Sequence, residues 1–393
     1  MPSDAWAHQD ATAVVGIGAT EFSKSSGRSE LTLATEACLA ALADAGLAVS
    51  DVDGVVRCDH DLVSAQSLAE SLGVPDLTYW GEVGPGGAAP CAMVGQAVAA
   101  VLSGLATTVL VYRSLNGRSG ARFGQGAPLP ARVGGRGTRD ELFVPYGLVT
   151  AGQFFALLAR RHMLQYGTSY DALARISVTC RERANANPAA QMHDRLLTMQ
   201  DCYDARAIAD PLRLFDFCLE TDGACAVVVT SAERAADCAQ PAALVRSVAQ
   251  GTGPAIRGGM MFPALLADEL PSRAVAETLF ARAGLSPDDV DVAQLYDCFS
   301  ITLLLQLEDY GFCKPGEADA FIASGALDVS GPLPVNTAGG HLSEGYVHGM
   351  NHVLEGVRQI RGTSTSQVAG AKVSLVTSAP PPGSSALLLV GPS

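Results

Sequence analysis

Several groups of residues in this chain have types and spacings that could do chemistry. His348 and His352 are four apart, which on a helix puts two imidazoles on one face and can hold zinc. Gly349 stands where a metalloprotease motif needs glutamate, so no metal centre is expected there. Cys58-Asp59-His60-Asp61 offers metal-type side chains in too short a span to close a tetrahedral site, and reads as a loop. Gly84-Pro85-Gly86-Gly87-Ala88-Ala89 matches a relaxed dinucleotide fingerprint, with Arg113 near the end of the following strand, where a phosphorylated cofactor could be read. The strand before it is poor, and a lone glycine fingerprint is weak. Arg113, Arg118, Arg122, Arg132, Arg136 and Arg139 run through a Gly-rich stretch with no Asp or Glu among them. That stretch is either a solvated surface loop or a site for phosphates or an acidic partner, which guanidinium forks suit.

The elements that must position these groups form a large core. At 393 residues, 48% hydrophobic and 17% charged, the chain suits a compact enzyme of two similar halves or two to three domains. A net charge of -14 disfavours nucleic acid as a partner. Residues 1–10 have neither a basic start nor an apolar run, so no secretory signal is expected. The longest apolar stretch, 97–112, is interrupted by Ser103, Gly104, Thr107 and Thr108 and falls short of a membrane span. It reads as a buried helix turning into a buried strand. Ten cysteines without a Cys-x-x-Cys pair argue against structural zinc and disulfides, and suit reduced core residues of a cytoplasmic protein.

The chain also repeats itself. Residues 45–53 match 283–291, Ala-Gly-Leu-Ala-Val-Ser-Asp-Val-Asp against Ala-Gly-Leu-Ser-Pro-Asp-Asp-Val-Asp. Helices over 31–45 and 272–283 precede the match, and strands over 54–57 and 292–296 follow it, the pattern of α/β units. Further strands are expected over 14–17, 108–112, 216–230, 373–377 and 386–390, with helices over 151–167 and 170–187. Pro380 to Gly383 suits a hairpin-like connection between the last two strands.

Three motifs give the chain a resemblance. The segment from Asn336 to Gly349, with Gly339-Gly340, four residues, then Gly345-Tyr346-Val347-His348-Gly349, resembles the C-terminal active-site loop of thiolases with the catalytic histidine replaced by tyrosine. Tyr296-Asp297-Cys298-Phe299 resembles their Asn-Glu-Ala-Phe or His-Asp-Cys-Phe element, again with tyrosine at the working position. Counting back from Gly104 along the alanine-rich helix puts the nucleophile position at Gly87, which also accounts for the glycines of the dinucleotide fingerprint. Cys91 falls about one turn later and reads as a small core residue. The acid/base cysteine of the family aligns with Val376. Neither cysteine of the covalent mechanism is therefore present.

The pattern of two tyrosines is similar to the lipid-transfer-protein aldolases of the thiolase superfamily. The resemblance implies an α/β thiolase fold, with duplicated βαβαβαββ halves in a five-layered αβαβα arrangement and an inserted loop domain. Its expected divisions are 1–113 and 213–241 for the N-terminal half, 114–212 for the loop domain and 242–393 for the C-terminal half. It implies retro-aldol cleavage of a β-hydroxyacyl-CoA, a 17-hydroxy steroid 20-carboxyl-CoA giving a 17-ketosteroid and propionyl-CoA. Tyr296 and Tyr346 are then the catalytic pair, supported by Gly87 at the oxyanion site, Asp297 and His348. A phenol, with a reference pKa near 10, is a poor base unless its environment lowers it, yet a good proton donor and acceptor for alkoxides and enolates. Arg118, Arg122, Arg132, Arg136, Gly339 and Gly340 are expected at the coenzyme A, which enters only as part of substrate and product, with no cofactor of the chain's own. A homodimeric core, with the strand over 107–112 beside its interface, and a small zinc-ribbon/OB-fold partner are implied as well. The rival reading keeps the fold without the chemistry, as a sterol or acyl-CoA carrier or scaffold subunit.

Overall fold

The structure, a computed structural model, describes residues 6–120, 122, 144–253, 270–378 and 383–392. The repeat folds twice. Helix Glu30–Ala45 starts at Ser29, whose hydroxyl accepts the Thr32 N–H, and ends at Gly46 with φ 71°. Helix Pro271–Ala283 ends in the same way at Gly284, φ 64°. Both glycines supply the left-handed residue that closes a helix.

The strands are β1 (Thr12–Ala19), β2 (Gly54–Cys58), β3 (Tyr79–Val83), β4 (Thr108–Asn116), β5 (Ala207–Ala209), β6 (Leu212–Arg213), β7 (Asp222–Ser231), β8 (Ala243–Gly251), β9 (Val292–Gln294), β10 (Val373–Ser378) and β11 (Ser384–Val390). Nine of them form one sheet in the order β3-β2-β4-β7-β1-β8-β11-β10-β9, and β5 and β6 pair separately. The order reads alike from both sides of the β1–β8 seam. β2 runs parallel to β4 as β9 does to β10, and β4 runs antiparallel to β7 as β10 does to β11. The seam itself is thin, pairing Ala13 with Leu244 and Val14 with Ala243.

Helices Ala89–Leu102 and Met350–Arg361 lie between the two arms of this sheet, each touching strands of both. Helix Glu30–Ala45 covers the outer face of one arm and helix Pro271–Ala283 that of the other. The result is the five-layered thiolase arrangement. Strand periodicity makes it possible: along β7, Ala224, Ala226 and Val228 face helix Glu30–Ala45, and Cys225, Val227 and Val229 face the central helices. Between β4 and β7, helices Ala151–Tyr166 and Tyr170–Asn185 pack against helix Ser300–Asp309 on the other arm.

Some expectations are corrected. β4 extends to Asn116, so Arg113 is a buried strand residue and not part of a loop. β4 also pairs on both sides, and the edge of its arm is β3, where Trp80 is 59% exposed. β9 stops at Gln294 because Leu295 is held by a side chain: its N–H and C=O bond Asn336 Oδ1 (2.8 Å) and Nδ2 (2.9 Å). β7 begins at Asp222, and helix Met350–Arg361 begins after His348, so His348 and His352 do not share a helix face. β10 and β11 pair antiparallel as expected, although 379–382 between them lie outside the described residues.

Candidate active site

The two phenols meet. Tyr296 Oη and Tyr346 Oη are 2.9 Å apart, with their rings edge to face. Tyr296 leaves β9 with its N–H on Thr377 Oγ1 (2.9 Å) and its carbonyl on Gln306 Nε2 (2.7 Å). Tyr346 is set by its N–H on Thr221 Oγ1 (2.9 Å), just before β7. Burial, then the neighbouring phenol, holds Tyr296 well above the usual phenol range, and burial does the same for Tyr346. The environment thus keeps both hydroxyls protonated; it does not make either a ready base.

Gly87 completes the pair. A Cβ built there would run into the Tyr296 hydroxyl, so the phenol occupies the space a side chain at the nucleophile position would need. Asp59 likewise fills the space beside Gly84 and His60 that beside Gly86, so this turn packs against side chains and is no open pyrophosphate cradle. Helix Ala89–Leu102 has no cap of its own; the Cys91 and Ala92 N–H groups bond Ser378 and Ser385 hydroxyls from β10 and β11, both at 3.1 Å. Cys91 is fully buried with its thiol on the Val376 carbonyl, and burial pushes it up to about 12, far from a thiolate.

Asp297 is an anchor. Its carboxylate accepts the N–H groups of His341 (2.8 Å) and Leu342 (3.2 Å) and His352 Nε2 (3.0 Å). Burial works to raise it, but the imidazoles of His341 and His352 and the backbone donors outweigh that and leave it below the usual carboxylate range. Asp297, His341 and His352 have ligand-type atoms within 4.8 Å of one another. Backbone N–H groups and His352 take up the carboxylate, and His341 Nδ1 lies 3.2 Å from it. Gly339 and Gly340 serve this anchor and do not line the cavity: at φ 112° and 61°, they turn the chain against Ala184 and around the Asp297 carboxylate.

His348 faces the other half of the molecule. Its Nδ1 accepts from Arg113 Nε (3.2 Å), and Arg113 Nη1 pairs with Asp61 (2.5 Å). Asp61 belongs to the Cys58–Asp61 run, of which Cys58 still ends β2 and only the three residues after it turn, yet this turn reaches the back of the site. Sequence reasoning saw its residues and missed their destination.

A cavity of about 950 Å³ opens over the phenols. Gly87, Tyr296, Cys298 and Tyr346 line it, and Phe154, Phe155, Phe217 and Phe299 give it an aromatic wall, with Phe155 stacked on Phe299 at 4.4 Å. The size is at the upper end of small-molecule sites, roughly 300–1,000 Å³. Lys24, Arg118 and Arg122 also line it, and Arg118 and Arg122 both reach Glu220. Arg132 and Arg136 lie outside the described residues. The wall from the inserted helices and the Glu220 partner were not foreseen.

Known proteins share this architecture. Residues 265–390 match the family "Thiolase C-terminal domain-like". The chain is 45% identical to the 17-hydroxy-3-oxo-4-pregnene-20-carboxyl-CoA lyase of Mycobacterium tuberculosis over 379 residues, 96% of this chain and 98% of that one. It is 44% identical to the steroid side-chain-cleaving aldolase of Thermomonospora curvata, over 96% and 97% of the two chains. The solved Ltp2-ChsH2(DUF35) aldolase superposes with a TM-score of 0.90 at 43% identity, covering 98% of each chain. Human mitochondrial 3-ketoacyl-CoA thiolase, at TM-score 0.70 and 15% identity over 98% and 99%, shares the fold. Fold and motifs define a thiolase-superfamily protein without the thiolase cysteines. Within that superfamily the chain belongs to the family of the steroid side-chain-cleaving aldolases, which are carbon–carbon lyases. No helix among the described residues is long and apolar enough to cross a membrane.

Proposed function

We propose that the chain cleaves the C17–C20 bond of a 17-hydroxy steroid 20-carboxyl-CoA, giving a 17-ketosteroid and propionyl-CoA, with Tyr296 and Tyr346 as its catalytic residues. The observation that carries this reading is the 2.9 Å contact between two protonated phenols beside Gly87. Neither phenol needs to ionise. The C17 hydroxyl proton passes to one phenol oxygen as that phenol passes its own to the other, and the second protonates C20. Meanwhile the O–H electrons form the C17 carbonyl, and the C17–C20 pair moves into the thioester enolate that C20 protonation discharges. The Gly87 N–H at the positive end of helix Ala89–Leu102 suits the enolate oxygen. Asp297 fixes the backbone after Tyr296, and the aromatic wall takes the rings.

Coenzyme A arrives on the substrate and leaves on the product, its phosphates toward Arg118 and Arg122. For the organisation we infer the divisions 1–113 with 213–241, 114–212 and 242–393, with β4 continuing across the first boundary to Asn116. Among the described residues β3 is the edge of its arm, and with Trp80 exposed it suits pairing with a second copy; the solved relative named for both Ltp2 and ChsH2(DUF35) supports a partner, which we take to be a small zinc-ribbon/OB-fold protein, with both chains in the cytoplasm. The test is incubation of chain and co-expressed partner with the steroid thioester, following both products by mass spectrometry. Release of 17-ketosteroid and propionyl-CoA is expected; substrate that is bound but unchanged would indicate the carrier reading.

A further inference from the structure

Arg113 is a fully buried guanidinium that the proposed reaction does not use. Buried charge is costly unless paired, and its pairing is specific. Nη1 bonds Asp61 (2.5 Å) and the Ser114 carbonyl (3.0 Å), and Asp61 is itself fixed by the N–H groups of Ser114 (2.9 Å) and Cys58 (3.0 Å). Arg113 Nε is aimed at His348 Nδ1 at 3.2 Å.

We propose that Arg113 is a positioning residue: it holds His348 as the neutral tautomer with its proton on Nε2, so that the two-phenol site has an uncharged hydrogen-bond donor beside it. A guanidinium has five donors and no acceptor. The atom it bonds must therefore carry a lone pair, which puts the imidazole proton on Nε2 and excludes the imidazolium. The ring is held in place as well. His348 sits at φ 51°, a left-handed conformation in which histidine and asparagine are enriched among non-glycine residues. Its ring lies edge to face with Tyr346 at 5.1 Å, and its Cε1 edge faces Gly86.

The charged and titratable groups around His348 come from every neighbouring element. They are Arg113 on β4, Asp61 and His60 after β2, His341 in the glycine loop, Tyr346 in its own turn and Tyr296 beyond it. Burial, Arg113, His60 and His341 all press the imidazole below its usual range, and Asp61 is spent on Arg113. A neutral imidazole N–H can stabilise an oxygen that gains negative charge without competing as an acid. The donor role rests on the aldolase reading above; the tautomer does not.

The decisive measurement is a long-range proton–nitrogen spectrum of the full chain with its partner, labelled with ¹⁵N-histidine and assigned with His348→Asn. A single Nε2–H form of His348, unchanged from about pH 5.5 to 8, is expected around the reference value of about 6.5. A protonated Nδ1 at neutral pH would overturn the proposal whether or not the steroid thioester is cleaved. Asn at 348 tolerates the left-handed backbone and offers Arg113 an acceptor at the Nδ1 position, but has no donor at the Nε2 position. His348→Asn should therefore lower kcat by roughly 10- to 100-fold, below the ~10²–10⁴ of a direct acid or base, with KM within about threefold. Turnover at the unaltered rate would show that the Arg113 bond only holds the loop. Arg113→Met combined with Asp61→Asn removes both charges together, and should let the Nδ1–H tautomer of His348 appear in the same spectrum. An unchanged single tautomer in this double variant would also overturn the proposal.

Discussion

In the register of the repeat, which pairs Asp53 with Asp291, Cys58-Asp59-His60-Asp61 stands opposite Tyr296-Asp297-Cys298-Phe299. The two aspartates do the same work. Asp59 accepts the Gly86 N–H (3.0 Å) and fills the space beside Gly84; Asp297 accepts the His341 and Leu342 N–H groups and fills the space beside Gly340. Each pins a glycine turn that precedes a central helix. The residue before them differs. Cys58 is a buried thiol pushed up to about 12 by burial, whereas Tyr296 carries a phenol to Gly87 and Tyr346. A duplicated scaffold thus supplies two equivalent anchors, and a change next to one of them supplies the chemistry.

The comparison breaks most visibly at the phenols. Tyr296→Phe or Tyr346→Phe should lower kcat by about 10²-fold or more, while Cys58→Ala leaves it within about twofold; steady-state assays of the three variants decide it. Gly87→Ala, which forces the Tyr296 hydroxyl aside, should approach the same loss, since misplacement of about 1 Å can cost 10²-fold. Unchanged turnover there would mean the phenol does not work where it now lies.

Stability sharpens the comparison further. Asp297→Ala abandons several buried donors and should cost about 3 kcal/mol, against about 1 kcal/mol for Asp59→Ala, read as shifts in urea midpoints. The Asp297 carboxyl is held below its usual range, so its contribution is full above the unfolded value of about 3.9 and is lost as pH falls through the lower folded value. The stability gap to Asp297→Asn should therefore narrow on acidification below about pH 4. Smallest, Gly340→Ala combines φ 61° with a collision at Asp297 and should cost about 1–3 kcal/mol. Gly84→Ala meets only the partly exposed Asp59 carboxylate, which can move, and should cost less in a thermal melt.

The repeat, the helices that close on Gly46 and Gly284, and the two tyrosines could be read in the sequence because spacing alone reveals them. The Arg113 link could not. A basic run in a Gly-rich stretch looks like a loop, and only the pairing of β4 with β7, Arg113 opposite Cys225, shows that this guanidinium is inside. His348 and His352 misled for a related reason: helical spacing was read through a left-handed pair, His348 and Gly349, that starts the helix one residue later. The aromatic wall depends on where the inserted helices dock, which no local period encodes. Gly339 and Gly340 looked like ligand glycines because a glycine pair signals close approach without saying to what; here it is to Ala184 and Asp297.

The serines that finish helix Ala89–Leu102 have a consequence for how the molecule breathes. Ser378 and Ser385 lie far along the chain from Cys91 and Ala92, yet their hydroxyls hold those two amide protons. Amides in a helix's first turn ordinarily exchange with solvent by local fraying. Here the two amides are held from β10 and β11, so slow deuterium uptake is expected at Cys91 and Ala92, and its rate reports how firmly those late strands hold the start of an early helix.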